Sequence, residues 1–201
     1  MNALALILAG AAGAIGGWLV FTAVGRFSIG SRFEEPLTII LSGAVVAGLC
    51  AKFGISGRQF LIYAPLTILV AGLTLLDIRR HILPNTITIP GIIAGLALAN
   101  WLLPLGLRDS LLGAALGGGI LLAATVIEAV RKKPLGGGDW KYAAMLGSFI
   151  GAQRIVFALV LSGVFGLVGG LTLLLVFRTG AKPTALGPWL SAGAIASLLW
   201  K

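Results

Sequence analysis

Leu135-Gly136-Gly137-Gly138-Asp139-Trp140-Lys141 sets an acid between three glycines and an apolar segment, in a chain of 201 residues with six acids. An ionisable group entering an apolar segment is costly, and a chain that keeps one usually uses it. What lies on either side decides the fold. Upstream runs an apolar stretch over 109–130, downstream another over 139–153. The same pattern continues outward in both directions, over 3–24, 36–53, 60–76, 86–105, 155–177 and 185–200. Most of these approach the roughly 20 residues that cross a bilayer core as a helix. Mean hydropathy is +1.06. Charged residues make up 10% of the chain, where a soluble domain carries about 25%. The sequence therefore predicts an all-α, polytopic membrane helical bundle of about eight transmembrane helices, read as a single domain over 1–201. The sixth span is short and glycine-containing, and is the one that could be re-entrant.

The net charge of +9 does not point to nucleic acid, because there is no basic stripe with interleaved aromatics. Lys and Arg fall instead in short loops between apolar runs, where they set membrane orientation. With eight crossings, one loop set holds Arg26, Arg32, Arg79, Arg80, Arg131, Lys132, Lys133, Lys141, Arg178 and Lys182, ten in all. The other holds Lys52, Arg58, Arg108, Arg154 and Lys201, five in all. Ten against five places the first set in the cytoplasm and both termini outside. If the sixth span does not cross, Arg154 and Lys201 exchange sides with Arg178 and Lys182, and the count is still ten to five. Met1-Asn2-Ala3 lacks the basic region of a cleaved signal peptide, so the first run is expected to be a retained helix. Gly113-x-x-x-Gly117 and Gly147-x-x-x-Gly151 are small-x-x-x-small pairs, expected to let helices pack closely.

The six acids sort by position. Glu34 and Glu35 read as solvated loop charges, Asp109 as the N-cap of the fifth span, and Glu128 as an i,i+3 partner of Arg131. Asp77 and Asp139 differ, because each borders an apolar span and each is followed by cations, Arg79 and Arg80 in one case and Lys141 in the other. Either they are helix-end carboxylates neutralised by those cations, or they work together. Two carboxylates sharing a site cannot both ionise cheaply, so the pair holds one proton. The ionised member can take a proton from water while the protonated member donates to the carbonyl oxygen of an amide. Such a pair needs no metal, cofactor or nucleophilic side chain. The chain has one cysteine, Cys50, and one histidine, His81, too few for a metal cluster. A Ser-His-Asp arrangement through His81 is the weaker option. Gly136, Gly137 and Gly138 lack the Gly-Lys-Ser/Thr of a phosphate loop, but would let backbone approach an extended peptide.

At this point the sequence resembles the type IV prepilin peptidase family, membrane aspartyl proteases with a Gly-x-Gly-Asp motif. Leu75-Leu76-Asp77-Ile78-Arg79-Arg80-His81-Ile82-Leu83-Pro84-Asn85 is similar to that family's first motif. Gly136-Gly137-Gly138-Asp139-Trp140-Lys141, followed by Leu146-Gly147 and Gly151, is similar to the second. Leu186-Gly187-Pro188-Trp189-Leu190 is similar to a segment near the family's C-terminus. The resemblance implies Asp77 and Asp139 as the catalytic pair, with Gly136, Gly137, Gly138, Lys141, Pro84 and Asn85 at the substrate. It implies a prepilin or pseudopilin substrate of type IV pilus or secretion systems, cut after the glycine that ends a short basic leader. The enzyme would be a multi-pass protein of the inner membrane with its active site facing the cytoplasm, and would have no metal, no cofactor and no nucleic-acid partner. Many family members carry two Cys-x-x-Cys pairs in the first cytoplasmic loop and also N-methylate the new terminus. Here the loop is only about residues 25–35 and has no cysteine, and Ile39 stands where the family has an acid. Weak or absent methylation is expected. The competing readings are a presenilin-like protease, which pairs its glycine motif with Tyr-Asp where this chain has Leu76-Asp77, and a small transporter or channel whose acids bind a cation or proton.

Overall fold

A computed structural model describes residues 3–25, 34–130, 137–177 and 185–200. Eight helices run through the described residues: α1 (Ala3–Gly25), α2 (Glu34–Phe53), α3 (Arg58–Arg80), α4 (Asn85–Ala99), α5 (Gly106–Val130), α6 (Asp139–Ile150), α7 (Ala152–Phe177) and α8 (Gly187–Leu199). Among them α1, α3, α5 and α7 contain stretches long and apolar enough to cross a membrane. Shorter apolar stretches lie in α2 (Thr38–Phe53), α4 and α8. The 12 residues of α6 reach only about 18 Å, against a hydrocarbon core of about 30 Å. The helices gather into two compact units, one ending at Arg79 and the other running from Arg80 to Trp200.

The first unit is α1, α2 and α3. Gly13 and Gly17 on α1 lie against Val46 and Ser42 on α2, an antiparallel pairing. Gly16 lies against Ile68, and Val20 against Gly72, so α3 runs parallel to α1. Phe53 meets Tyr63 with ring centroids 5.5 Å apart, joining α2 to α3. The Arg79 guanidinium sits 5.1 Å over the Phe21 ring. The end of α3 therefore lies level with the end of α1, the arrangement the loop charges require.

The second unit is built around α6, in which Tyr142 through Ile150 are all buried. Gly91 and Gly95 of α4 receive Met145 and Ser148, and α4 runs parallel to α6. On the other side α5 runs antiparallel. Gly113 is opposed to Gly147 and Gly151, and Gly117 to the Ala143 carbonyl. A Cβ on Gly113 or Gly147 would strike the other residue's backbone. The two small-x-x-x-small pairs thus pack on each other, as expected of such motifs. Helix α8 packs on α7, with Trp189 seated against Gly169 and Gly193 against the Ala158 carbonyl.

Several boundaries differ from the sequence reading, three of them at Asp77, Pro104 and Asp109. The fourth span, expected over 86–105, ends at Ala99. The amides of Trp101, Leu102 and Leu103 all turn back onto the Leu98 carbonyl. Pro104 bars helical backbone in the residue before it, so the apolar Trp101-Leu102-Leu103 run is a turn. Helix α3 continues past 76 to Arg80, which puts Asp77 inside the helix. Helix α5 starts at Gly106, three residues before Asp109. Asp109 is therefore not the cap of its own helix. Its carboxylate accepts the Ala152 N–H at 3.2 Å and so caps α7, whose preceding residue, Gly151 (φ 81°), has no side chain to do so. An anionic oxygen at a helix N-terminus meets the positive end of the helix dipole.

Candidate active site

Asp77 occupies the last turn of α3 and is 5% exposed. Among the described residues it is the only charged residue buried as a whole, while the terminal guanidinium nitrogens of Arg79, two residues on, are buried too. Desolvating a carboxylate costs several kcal/mol on the order expected for buried ions, so this position is not one that an apolar helix end would choose by default. The chain leaves α3 through His81, whose φ of 51° is left-handed. Leu83 is buried, Pro84 takes the N-cap position of α4, and Asn85 opens that helix. The Pro84 carbonyl accepts the amides of Ile87 and Thr88 at 3.0 and 3.1 Å.

Asp139 is the first residue of α6 and is half-buried. Gly138 precedes it, and the Gly138 carbonyl accepts the Tyr142 amide at 3.0 Å. Gly138 also lies against Leu83, whose Cβ would be 2.9 Å and whose carbonyl oxygen 3.2 Å from a Cβ built at that glycine. No larger residue would let the two backbones come this close. Gly137 is exposed, with open space where its side chain would be. Gly136 lies outside the described residues, as do Arg131 and the greater part of the cysteine-free loop at 25–35.

The second unit thus joins two of the segments singled out in the sequence, Leu83-Pro84-Asn85 and Gly138-Asp139-Trp140-Lys141. Lys141 Nζ donates to Asn85 Oδ1 at 2.9 Å and stands 5.3 Å from the Trp140 ring centroid. A family model described as the type IV leader peptidase family matches residues 61–171, more than half of the chain and a range that contains both aspartates. The chain belongs to that family. A prepilin leader peptidase/N-methyltransferase of Burkholderia pseudomallei is 30% identical over 178 residues, covering 87% of this chain and 57% of the relative. One of the same name from Aeromonas salmonicida is 32% identical over 182 residues, 86% of this chain and 60% of the relative. Another, from Escherichia coli, is 29% identical over 167 residues, 81% and 72% respectively. The chain spans under two thirds of the length of the first two. No solved structure matches it.

Sequence reasoning passed over two residues that the leader peptidase fold ties to the aspartate helix. The Tyr142 hydroxyl, one turn after Asp139, lies 2.7 Å from Ser191 Oγ, and Ser191 Oγ donates to the Gly187 carbonyl at 2.7 Å. A hydroxyl has one proton, so with Ser191 donating to Gly187, Tyr142 is the donor to Ser191. The third family-like segment, around Gly187, is in this way connected to α6. A tyrosine entering the apolar part of α6 was the available signal, since a buried phenol needs a partner.

Proposed function

We propose that this chain is a membrane aspartyl endopeptidase that removes the basic leader from type IV prepilins or pseudopilins, with Asp77 and Asp139 as its catalytic pair. The observation that carries the reading is the burial of Asp77 in a turn of α3, within a family of leader peptidases. One carboxyl is ionised and one protonated. The ionised one takes a proton from water as the water oxygen attacks the carbonyl carbon of the bond after glycine. The protonated one donates to the carbonyl oxygen. Collapse of the tetrahedral species breaks the C–N bond: one hydroxyl proton returns to the carboxylate that had donated to the carbonyl oxygen, and the leaving nitrogen takes a proton from the carboxyl that received one from water. Gly137 and Gly138 offer backbone to an extended substrate strand.

The ten-to-five distribution of basic residues supports an inner-membrane enzyme with its active site facing the cytoplasm, the compartment that would hold a basic leader. The relatives' names join peptidase to N-methyltransferase. For this chain we propose a peptidase with weak or no methylation, on the strength of the cysteine-free loop and Ile39. Co-expression with a prepilin and mass spectrometry of the product tests both parts. Asp77→Asn and Asp139→Asn, made separately, should each reduce cleavage at least about 100-fold, the lower end of general acid–base contributions. Retained cleavage in either variant refutes the pair, and a fully methylated product, with no other methylase present, refutes weak or absent methylation.

A further inference from the structure

Lys141 lies two residues after Asp139, which on a helix places the two side chains about 200° apart around the axis. Residues at i and i+2 do not face one another. Lys141 is therefore poorly placed to neutralise Asp139 from within α6, and its ammonium is bonded instead to the Asn85 amide oxygen at 2.9 Å. Asn85 is the first residue of α4, and Lys141 lies in the first turn of α6. The bond thus joins the first turns of two parallel helices. Gly138 packing on Leu83 holds the same two segments together three residues before Lys141 and two before Asn85. Between these two points of attachment lies a single aspartate, Asp139.

We infer that Lys141 and Asn85 are positioning residues: a clasp that fixes the start of α6, and with it the Asp139 carboxyl, rather than side chains that grip the substrate. This rests on the peptidase reading above. Trp140 adds to the clasp, since its ring lies under the Lys141 ammonium and restricts where that flexible chain can go. The bond is exposed to solvent, so its loss leaves the buried packing of α6 intact while freeing its first turn. Misplacing a reacting group by about 1 Å can cost 100-fold in rate.

The test is steady-state kinetics on the full chain in lipid or detergent, with a purified prepilin as substrate and a thermal melt of each variant. Lys141→Ala and Asn85→Ala should each lower kcat about 10- to 100-fold with KM changed less than about threefold, and their double variant should be no worse than the poorer single. Asn85→Asp, which preserves the acceptor, should retain several times the kcat of Asn85→Ala, and Lys141→Arg several times that of Lys141→Ala. A rise in KM at unchanged kcat would make both residues substrate contacts and overturn the clasp. So would kcat losses that multiply in the double variant, or no loss in either single. If an alanine variant does not fold, the Asn85→Asp and Lys141→Arg comparisons with wild type decide: a lowered kcat with unchanged KM supports the clasp, and a raised KM, or no change in either constant, ends it. Asp139→Asn is run alongside. Cleavage surviving in that variant defeats the peptidase reading itself, whereas a dead Asp139→Asn with KM-only effects at Lys141 and Asn85 defeats the clasp alone.

Discussion

Replacing Gly147 with alanine adds one methyl group where α5 and α6 come closest. That carbon would lie 2.5 Å from the Gly113 carbonyl carbon, against about 3.5 Å for ordinary carbon–carbon contact, so α6 has to move by roughly 1 Å. The atoms it meets at Gly113 and Ala114 are backbone, and no change of rotamer can absorb the clash. Nor is the other side open, because Met145 and Ser148 of α6 already fill the notches at Gly91 and Gly95 of α4. A gap of up to about 1 Å forfeits a quarter to a half of each pairwise dispersion contact, and overpacking a close-packed interior costs about 1–3 kcal/mol. We expect the upper part of that range, about 2–3 kcal/mol, which lowers the folded-to-unfolded ratio roughly 30- to 150-fold. Titration of the protein from mixed micelles into sodium dodecyl sulfate, followed by tryptophan fluorescence, reads this directly. Gly119→Ala is the control, because its new methyl group would meet nothing within 4 Å, and it should change stability by no more than about 0.5 kcal/mol. If Gly147→Ala unfolds at the same midpoint as Gly119→Ala, the close approach of the two helices is wrong.

The other predictions concern single polar groups. Asp109→Ala removes the acceptor for the Ala152 amide and should cost about 0.5–2 kcal/mol, as loss of an N-cap does; the same titration measures it, and no change would mean that α7 is capped otherwise. Tyr142→Phe and Ser191→Ala should each destabilise by about 0.5–1.5 kcal/mol and, being bonded to each other, should sum to less than additive in the double variant. Cleavage should show a bell-shaped dependence on pH, falling on the acid side as the base carboxylate takes a proton and on the alkaline side as the acid carboxyl loses one, with apparent pKa values that belong to the pair. A flat kcat/KM profile across that range would refute the shared proton.

The helical membrane bundle was legible because hydropathy and loop charge act over long windows, and few local details can reverse them. The glycine pairs were legible as packing motifs, although only the structure shows that Gly113 and Gly147 oppose each other. The boundaries were harder, since Trp101-Leu102-Leu103 is as apolar as any helix and only Pro104 and Asn100 betray the turn. Asp77 stood out in the sequence as an acid at a helix mouth, whereas the structure places it inside α3 and buried. Its burial depends on α3 continuing through Arg79 and Arg80, which hydropathy reads as the end of a span. Asp109 was taken for a local cap because sequence shows only neighbours along the chain, and its partner is 43 residues away. The Lys141–Asn85 bond spans 56 residues and was invisible for the same reason, even though both residues had been noted.

The shortness of α6 also bears on how the protein is made. Twelve residues that include Asp139, Lys141, Tyr142 and Ser148 do not partition into lipid by themselves as a full-length apolar helix does. As the ribosome delivers it, α6 has to be sheltered from lipid by partners already waiting: α4 offers Gly91 and Gly95, and α5, which immediately precedes it, offers Gly113 and Gly117. The insertion machinery would then release α5 and α6 as a hairpin against α4, with assembly of the aspartate helix beginning before the last two helices have been translated.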